Sequence, residues 1–378
     1  MDVAIIGAGP VGATVAALAA ASGLAIGVFE ARTAPSNDKR TLALSHASRR
    51  LLEEALAWPA AAATPISSIH ISQKGGPGRT LIEAAEQGLP ALGYTVAYAA
   101  LESALDTRLR EAGVEVAYGE SCEAITLTRD AATVRFASGR EASARLLVLA
   151  DGGANSTKIP GIAYAGKDYD QQAVTASVRT DREHGGRAYE RFTAQGPAAL
   201  LPVDDRYALV WTATPQESRR LLALDDASFL AELQAHFGDR AGRFLAVTSR
   251  AAFPLRLRAV NTPVALRTAI VGNAAQALHP IAGQGLNLGL RDAAELAAAI
   301  NGTSSEALGS DAMLAAYREA RRRDATRGVA FTDFLVSAFA DARRIPTWGR
   351  GLALTALDLL PGARRVLAER MIRGSPAP

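Results

Sequence analysis

Cysteine occurs once, as Cys122, in a chain of 378 residues. A single thiol excludes a disulfide within the chain and any cysteine-rich metal centre, so no metal is expected. It also suits a reducing compartment, and a cytoplasmic location is expected. Lysine is scarce, at positions 39, 74, 158 and 167, so nearly all the positive charge is arginine. The formal net charge of +3 is a mild excess that does not point to nucleic acid. Charge is absent altogether from Val3 to Phe29. Such a run suggests a membrane helix or a signal peptide, but no basic segment precedes it, and Gly7, Gly9, Pro10 and Gly12 break it. Internal repeats, low-complexity tracts and long linkers are missing as well.

What is present fits two domains. VAIIGAG reads as a buried parallel strand and a glycine turn, VGATVAALAAASG as a small-residue helix stopped at Gly23, and LAIGVFE as the next strand. Together they make a βαβ unit. ISSIHISQ, TLIEA and YTVAY read as extended. LESALDTRLREAG is an amphipathic helix with Leu101, Leu105 and Leu109 on its apolar face. VEVAYGE, CEAITLTRD, ATVRFAS and ARLLVLAD read as successive strands. From about 166 to 258 alternation dominates, in QAVTASVRT, AYERFT, YALVWTA and SRAAFPLRLR, with one helix near ASFLAELQAHFG. TAIVGNAA returns to a buried strand, and everything after about Leu286 reads as helical.

The expected fold is therefore α/β: a Rossmann-like domain interleaved with a mainly antiparallel sheet domain, plus C-terminal helices. The nucleotide-binding domain takes residues 1–65, 95–165 and 259–300. The substrate domain takes 66–94 and 166–258, and 301–378 form the helical region.

Gly7-Ala8-Gly9-Pro10-Val11-Gly12 lies between the first strand and the first helix. Gly7 allows the tight turn, Gly9 lets backbone approach a pyrophosphate, and Gly12 lets the helix pack close to the sheet. Glu30 ends the second strand, where a carboxylate can accept hydrogen bonds from ribose hydroxyls. This pattern indicates a dinucleotide site without choosing between FAD and NAD. Asp38 to Ser45, read alone, is a polar loop opening a helix with Ser45 as a helix cap. LLVLADGGANS ends a buried strand on Asp151-Gly152, which is either a ligand carboxylate at the sheet edge or a simple Asp-Gly turn. The run from Val271 to Leu296 is rich in glycine and then turns helical, with Asn273, His279 and Pro280 within it.

These segments, in this order, resemble the FAD-dependent aromatic hydroxylases of the para-hydroxybenzoate hydroxylase type. Asp38-x-Arg40-x-x-Ala43-Leu44-Ser45 is similar to the D-x-R-x-x-A-L-S pattern of the ubiquinone-biosynthesis hydroxylases among them. Gly272-Asn273-Ala274-Ala275-Gln276, in place of Gly-Asp-Ala-Ala-His, resembles the 2-polyprenyl-6-methoxyphenol hydroxylase branch. Arg187 to Thr193 with Gly196-Pro197 adds to the likeness. One departure is Lys158, where relatives carry Arg; it keeps the charge and loses the bidentate fork.

The resemblance implies FAD held by Gly7, Gly9, Gly12, Glu30, Arg40, Asp151, Asn273, Gly283, Gln284, Gly285 and Asn287. It implies NAD(P)H as co-substrate, O2 as oxidant and hydroxylation of a polyprenylphenol through a flavin C4a-hydroperoxide. Pro280 would wall the ring pocket, and His279 is either a base on the phenol or a packing residue of the turn. Only one Gly-x-Gly-x-x-Gly is present, so no separate nicotinamide domain is expected. A soluble aromatic substrate, or a non-catalytic flavin-binding subunit of a lipid-synthesis complex, are the alternatives. From Asp341 to Pro378 seven Arg face three acids beside Leu352, Leu354, Leu357, Leu359 and Leu360. That pattern suggests a peripheral contact with the inner face of the membrane, or with a ubiquinone-synthesis complex.

Overall fold

The charge-free N-terminal run divides into strand Val3–Ile6, helix Pro10–Ala19 and strand Ile26–Glu30. The computed structural model describes residues 1–74, 78–193, 196–277 and 284–322. A six-stranded sheet is ordered Val264–Ala265, Thr268–Ile270, Leu146–Leu149, Val3–Ile6, Ile26–Glu30 and Val116–Tyr118. It is parallel except at its Val264–Ala265 edge.

The absence of charge follows from cover on both faces. Val3, Ile5, Val28, Leu146 and Val148 face helices Pro10–Ala19, Tyr98–Glu111 and Gln284–Asn301, which offer Val15, Leu101, Leu105, Leu109, Leu290 and Leu296. The alternate residues Ala4, Ile6, Phe29, Leu147 and Leu149 meet a small antiparallel sheet of Cys122–Leu127, Ala132–Phe136 and Glu141–Ala144. Phe29 stacks on Phe136 there, with ring centroids 4.7 Å apart. ARLLVLAD is thus two strands, broken at Arg145, because Ala144 and Leu146 belong to different sheets.

The alternating half of the chain builds an eight-stranded sheet. Its order is Gln276–Ala277, Phe244–Val260, Tyr164–Thr180, Arg206–Ala213, Gly196–Val203, Arg187–Thr193, Ser68–Gln73 and Arg79–Glu83. All neighbours are antiparallel except Arg187–Thr193 with Ser68–Gln73. One face carries Val174, Val178, Tyr207, Leu209 and Trp211 against Leu221, Phe229, Leu233 and Phe237. These last come from two helices, Pro215–Ala223 and Asp226–Phe237, where the sequence led us to expect one. The first is nine residues long, too short to show a full apolar period. Its marks are the Thr214 cap and Pro215 in the first turn.

A third sheet pairs Thr41–Ser45 with Gly93–Ala97, and that strand with Ala63–Ile66. The expected polar loop at 38–45 is therefore partly a strand, in which Leu44 is buried opposite Tyr94. Ser45 does cap helix His46–Glu54, its side chain accepting from the Ser48 N–H. After helix Gln284–Asn301 a further helix begins at 311 and runs to the last described residue, 322. Among the described residues no helix is long and apolar enough to cross a membrane. The arginine-rich tail lies outside them.

Candidate active site

The turn after the first strand is shaped by contacts only glycine permits. Gly7 sits at φ +104°, and a Cβ there would lie 2.6 Å from the Ala150 carbonyl oxygen. At Gly12 a Cβ would lie 2.1 Å from the Gly7 oxygen, so this residue seats the helix on its own strand. Gly9 differs: its Cβ would meet nothing nearer than the Tyr98 hydroxyl at 3.8 Å. Gly9 is also the cap of helix Pro10–Ala19 and offers no side chain to that helix end, whose first N–H groups have no partner inside the helix. The protein thus leaves space and free donors where an anion can dock.

That space belongs to a cleft of about 1590 Å³, larger than the roughly 300–1,000 Å³ of a usual small-ligand pocket. Gly7, Gly9, Glu30 and Arg40 line it on one side, Asp151 and Asn273 on another, and Gly285 and Asn287 at the start of helix Gln284–Asn301. Gly12 lies behind it. His279, Pro280 and Gly283 fall outside the described residues, and Gln284 opens the helix.

Several of these side chains are already engaged. Glu30 accepts from the Ala8 N–H at 2.9 Å, and from the Arg32 N–H and Nε, both at 3.0 Å. Burial pushes its pKa up, but the hydrogen bonds from Arg32 and Ala8 outweigh that and hold it below the usual value. Arg32 also donates to Glu102 at 2.8 Å, and Glu102 receives the Ser36 N–H. Arg40 pairs with Asp38 at 2.5 Å and stands 5.7 Å over the Tyr98 ring. Asp151 accepts from the N–H groups of Gly153 and Asn155 and from Asn155 Nδ2, which holds the Gly152-Gly153 turn open at positive φ. The carboxylate therefore shapes the loop that lines the cleft. Lys158, also in the lining, donates to the Cys122 and Glu123 carbonyls.

Asn273 is exposed at the cleft. Gln276 is buried and donates to Asp292 at 2.6 Å. Asp292 also accepts from the Gly272 N–H and pairs with Arg321 at 2.5 Å, wholly enclosed. Burial pushes the Asp292 carboxyl up, against the pull of Arg321. Asn287 ties the helix start to its neighbours: its oxygen accepts from Ser45 N–H and Ser48 Oγ, and its amide donates to the Ala43 carbonyl.

The wall opposite the nucleotide turn is the second face of the eight-stranded sheet, with Ala173, Val210, Ala199 and Leu201 among its residues. Within that wall lies Glu190, which sequence reading did not single out. Its signal was available: alternation in AYERFT puts Glu190 on the same face as buried Ala188 and Phe192. Glu102 was similarly legible, one residue from Leu101 on the buried face of its helix.

The geometry suits FAD. Small residues, a bare helix end, polar side chains and a long apolar wall share one cleft. Known proteins agree. The FAD binding domain family model matches residues 1–332. Ubiquinone hydroxylase UbiL of Rhodospirillum rubrum is 35% identical, over 97% of this chain and 88% of its own length. The 3-demethoxyubiquinol 3-hydroxylase of Escherichia coli K12 is 34% identical, over 85% of this chain and 86% of its own. Among solved structures, P. aeruginosa PqsL with 2-aminobenzoylacetate superposes with a TM-score of 0.78 at 23% identity, covering 93% of this chain and 99% of that one. The p-nitrophenol 4-monooxygenase PnpA of Pseudomonas putida gives 0.75 at 20%, covering 100% and 99%. The chain belongs to the FAD-binding-domain family and is an FAD-dependent oxidoreductase.

Proposed function

We propose that this protein is an aromatic-ring monooxygenase that hydroxylates a polyprenylated phenol of the 2-polyprenyl-6-methoxyphenol type in ubiquinone biosynthesis. The observation that carries the reading is the single cleft joining the nucleotide turn to an apolar sheet wall. Two relatives matched over most of the chain, named as hydroxylases of ubiquinone and demethoxyubiquinol, support it. In this reading FAD is held by the segments 1–65, 95–165 and 259–300, and the aromatic ring lies against the wall built by 66–94 and 166–258.

When bound, FAD reduced by NAD(P)H supplies the oxygen-activating chemistry with O2. The chain's own residues do the rest. The first N–H groups of helix Pro10–Ala19 bind phosphate oxygens beside Gly9. Arg40 and Asn273 contribute polar contacts along the cleft. The first turn of helix Gln284–Asn301, at Gly285 and Asn287, would offer the cofactor the positive end of the helix dipole. In this proposal Gly283 and Gln284 also serve the cofactor. Ala173, Ala199, Val210 and Leu201 exclude water from the ring. His279 and Pro280 complete the ring pocket in this proposal. The lipid tail of the substrate calls for contact with the inner face of the membrane, and the basic tail from Asp341 supplies it.

The test is turnover of FAD-loaded protein with a short-chain prenylphenol, NADPH and air, read by mass spectrometry. The expected product is heavier by one oxygen. Turnover confined to unprenylated soluble phenols, or NADPH oxidation without hydroxylated product, would overturn the proposal.

A further inference from the structure

Glu190 is the anomaly of the cleft. It sits on strand Arg187–Thr193, only 9% exposed, and lines the cavity. Its partners in register are Ala199 on one side and Ile71 on the other, both apolar. Arg187 and Arg191, on the alternate positions of the same strand, point to the opposite face, where they donate to Ser68 and Ser72. Among the described residues no hydrogen bond, ion pair or charged neighbour acts on its carboxyl, and burial alone pushes it up to about 7.

The other acids of the cleft differ. Glu30, Asp38 and Asp151 are hydrogen-bonded, Glu120 is held by Ser138 and Arg140, and Asp204 is exposed. Buried polar groups are normally satisfied, and a carboxyl left bare between Ala199 and Ile71 is costly unless something docks on it. A phenolic hydroxyl is a single donor on a flat apolar ring, which fits one acceptor in an apolar wall.

We propose that Glu190 is the acceptor of the substrate's phenolic hydroxyl and the base that handles its proton. This rests on the aromatic-hydroxylase reading and adds to it the ring subsite. The phenol O–H bond breaks, its proton goes to a Glu190 carboxylate oxygen, and the electron pair stays on the ring system, making the para carbon, the activated position that still carries a hydrogen when both ortho carbons are substituted, a better nucleophile. That carbon takes a hydroxyl from the oxygen-activating chemistry of the reduced cofactor and O2. Its C–H bond then breaks, the proton combining with the hydroxide released on the donor side to give water. The C–H electron pair restores aromaticity, and Glu190 returns its proton to the phenolic oxygen. A raised carboxyl is a stronger base than an ordinary one, closer in proton affinity to a phenol.

The experiment compares full-length FAD-loaded wild type with Glu190→Gln and Glu190→Asp. The binding probe is 4-nitrophenol, whose phenol and phenolate absorb at different wavelengths. At pH 8 the wild type is expected to bind it with one proton shared between probe and carboxylate, which shifts its band away from that of the free phenolate. Glu190→Gln, whose amide donates instead, is expected to bind the phenolate. Glu190→Asp should give an intermediate spectrum. With prenylphenol, Glu190→Gln should lose about 10²-fold or more in kcat at unchanged FAD affinity, with Glu190→Asp recovering part. Identical bound spectra in wild type and Glu190→Gln, or failure of the wild type to bind the probe, would sink the proposal whatever the turnover. A Glu190-dependent spectrum without hydroxylated product would instead leave the subsite standing and remove the hydroxylase reading.

Discussion

Gly9 and Gly12 stand three residues apart and are glycine for opposite reasons. A methyl at Gly12 would collide with the Gly7 carbonyl, whereas a methyl at Gly9 would collide with nothing in the protein. Gly12→Ala should therefore cost about 1–3 kcal/mol or more of folding stability. Gly9→Ala should leave Tm within a degree or two and weaken FAD binding at least 10-fold, because its methyl enters the phosphate space. Thermal melts of the apoproteins beside flavin titrations would separate the two; a Gly9→Ala protein that binds FAD normally would remove Gly9 from the site. Glu190 makes a second residue-scale prediction. Its carboxyl rises from 4.5 in the unfolded chain to about 7 in the fold. Between those values the native state holds more protons than the unfolded state, so stability falls as pH rises through that window and is lowest above it. The difference is on the order of 3 kcal/mol. Glu190→Gln removes it, so the variant should melt above wild type at pH 8 and close to it at pH 4.5. Equal pH dependence of the two melts would contradict the raised carboxyl. The glycines and Glu30 were legible because strand, turn, helix and acid form a local pattern. The engagement of Arg32 by Glu102, seventy residues on, was not, because nothing local encodes a contact between distant segments.

Helix Gln284–Asn301 is held by two buried polar anchors rather than by apolar contacts alone. Asn287 fastens it to strand Thr41–Ser45 and the helix after it, and Asp292 fastens it to Gly272, Gln276 and Arg321. Asn287→Ala leaves the Ser45 N–H and the Ala43 carbonyl without that partner, so a loss of about 2–4 kcal/mol is expected. The helix start would then drift from the cleft, and FAD affinity should fall with Tm. A variant that loses FAD with full thermal stability would show instead that Asn287 touches the cofactor directly. Strands and helices with a clear period were read correctly from sequence: the apolar leucine stripe of Tyr98–Glu111 and the alternation of Tyr164–Thr180 are each visible over many residues. Short elements were not. Thr41–Ser45 reads as a loop because its pairing with Gly93–Ala97 spans half a hundred residues, and the Pro215–Ala223 helix was hidden by its length.

At the scale of the whole molecule, the cleft runs between a nucleotide sheet and an apolar sheet wall, and the proposed function would have a lipid-tailed phenol reach it from a bilayer. The rest of the chain is close to neutral, while the segment from Asp341 carries a net charge of +4 from its seven arginines and three acids. Basic residues beside leucines bind anionic bilayers through charge, at about 1 kcal/mol for each residue near the surface, and through apolar insertion. Replacing Arg364, Arg365, Arg370 and Arg373 with Gln should therefore weaken binding to phosphatidylserine-containing vesicles by roughly 10²-fold or more. Turnover of a soluble short-chain phenol should stay unchanged. Flotation of FAD-loaded wild type and variant, at low and high salt and with neutral vesicles as control, measures this directly. The charge contribution should vanish in high salt, since screening shortens its reach to a few ångströms. If wild type and variant float alike in every condition, the tail is not the membrane contact, and delivery of substrate must run through another surface or a partner protein. If both stay at the bottom while the prenylphenol is still turned over, the enzyme takes its substrate from solution or a carrier.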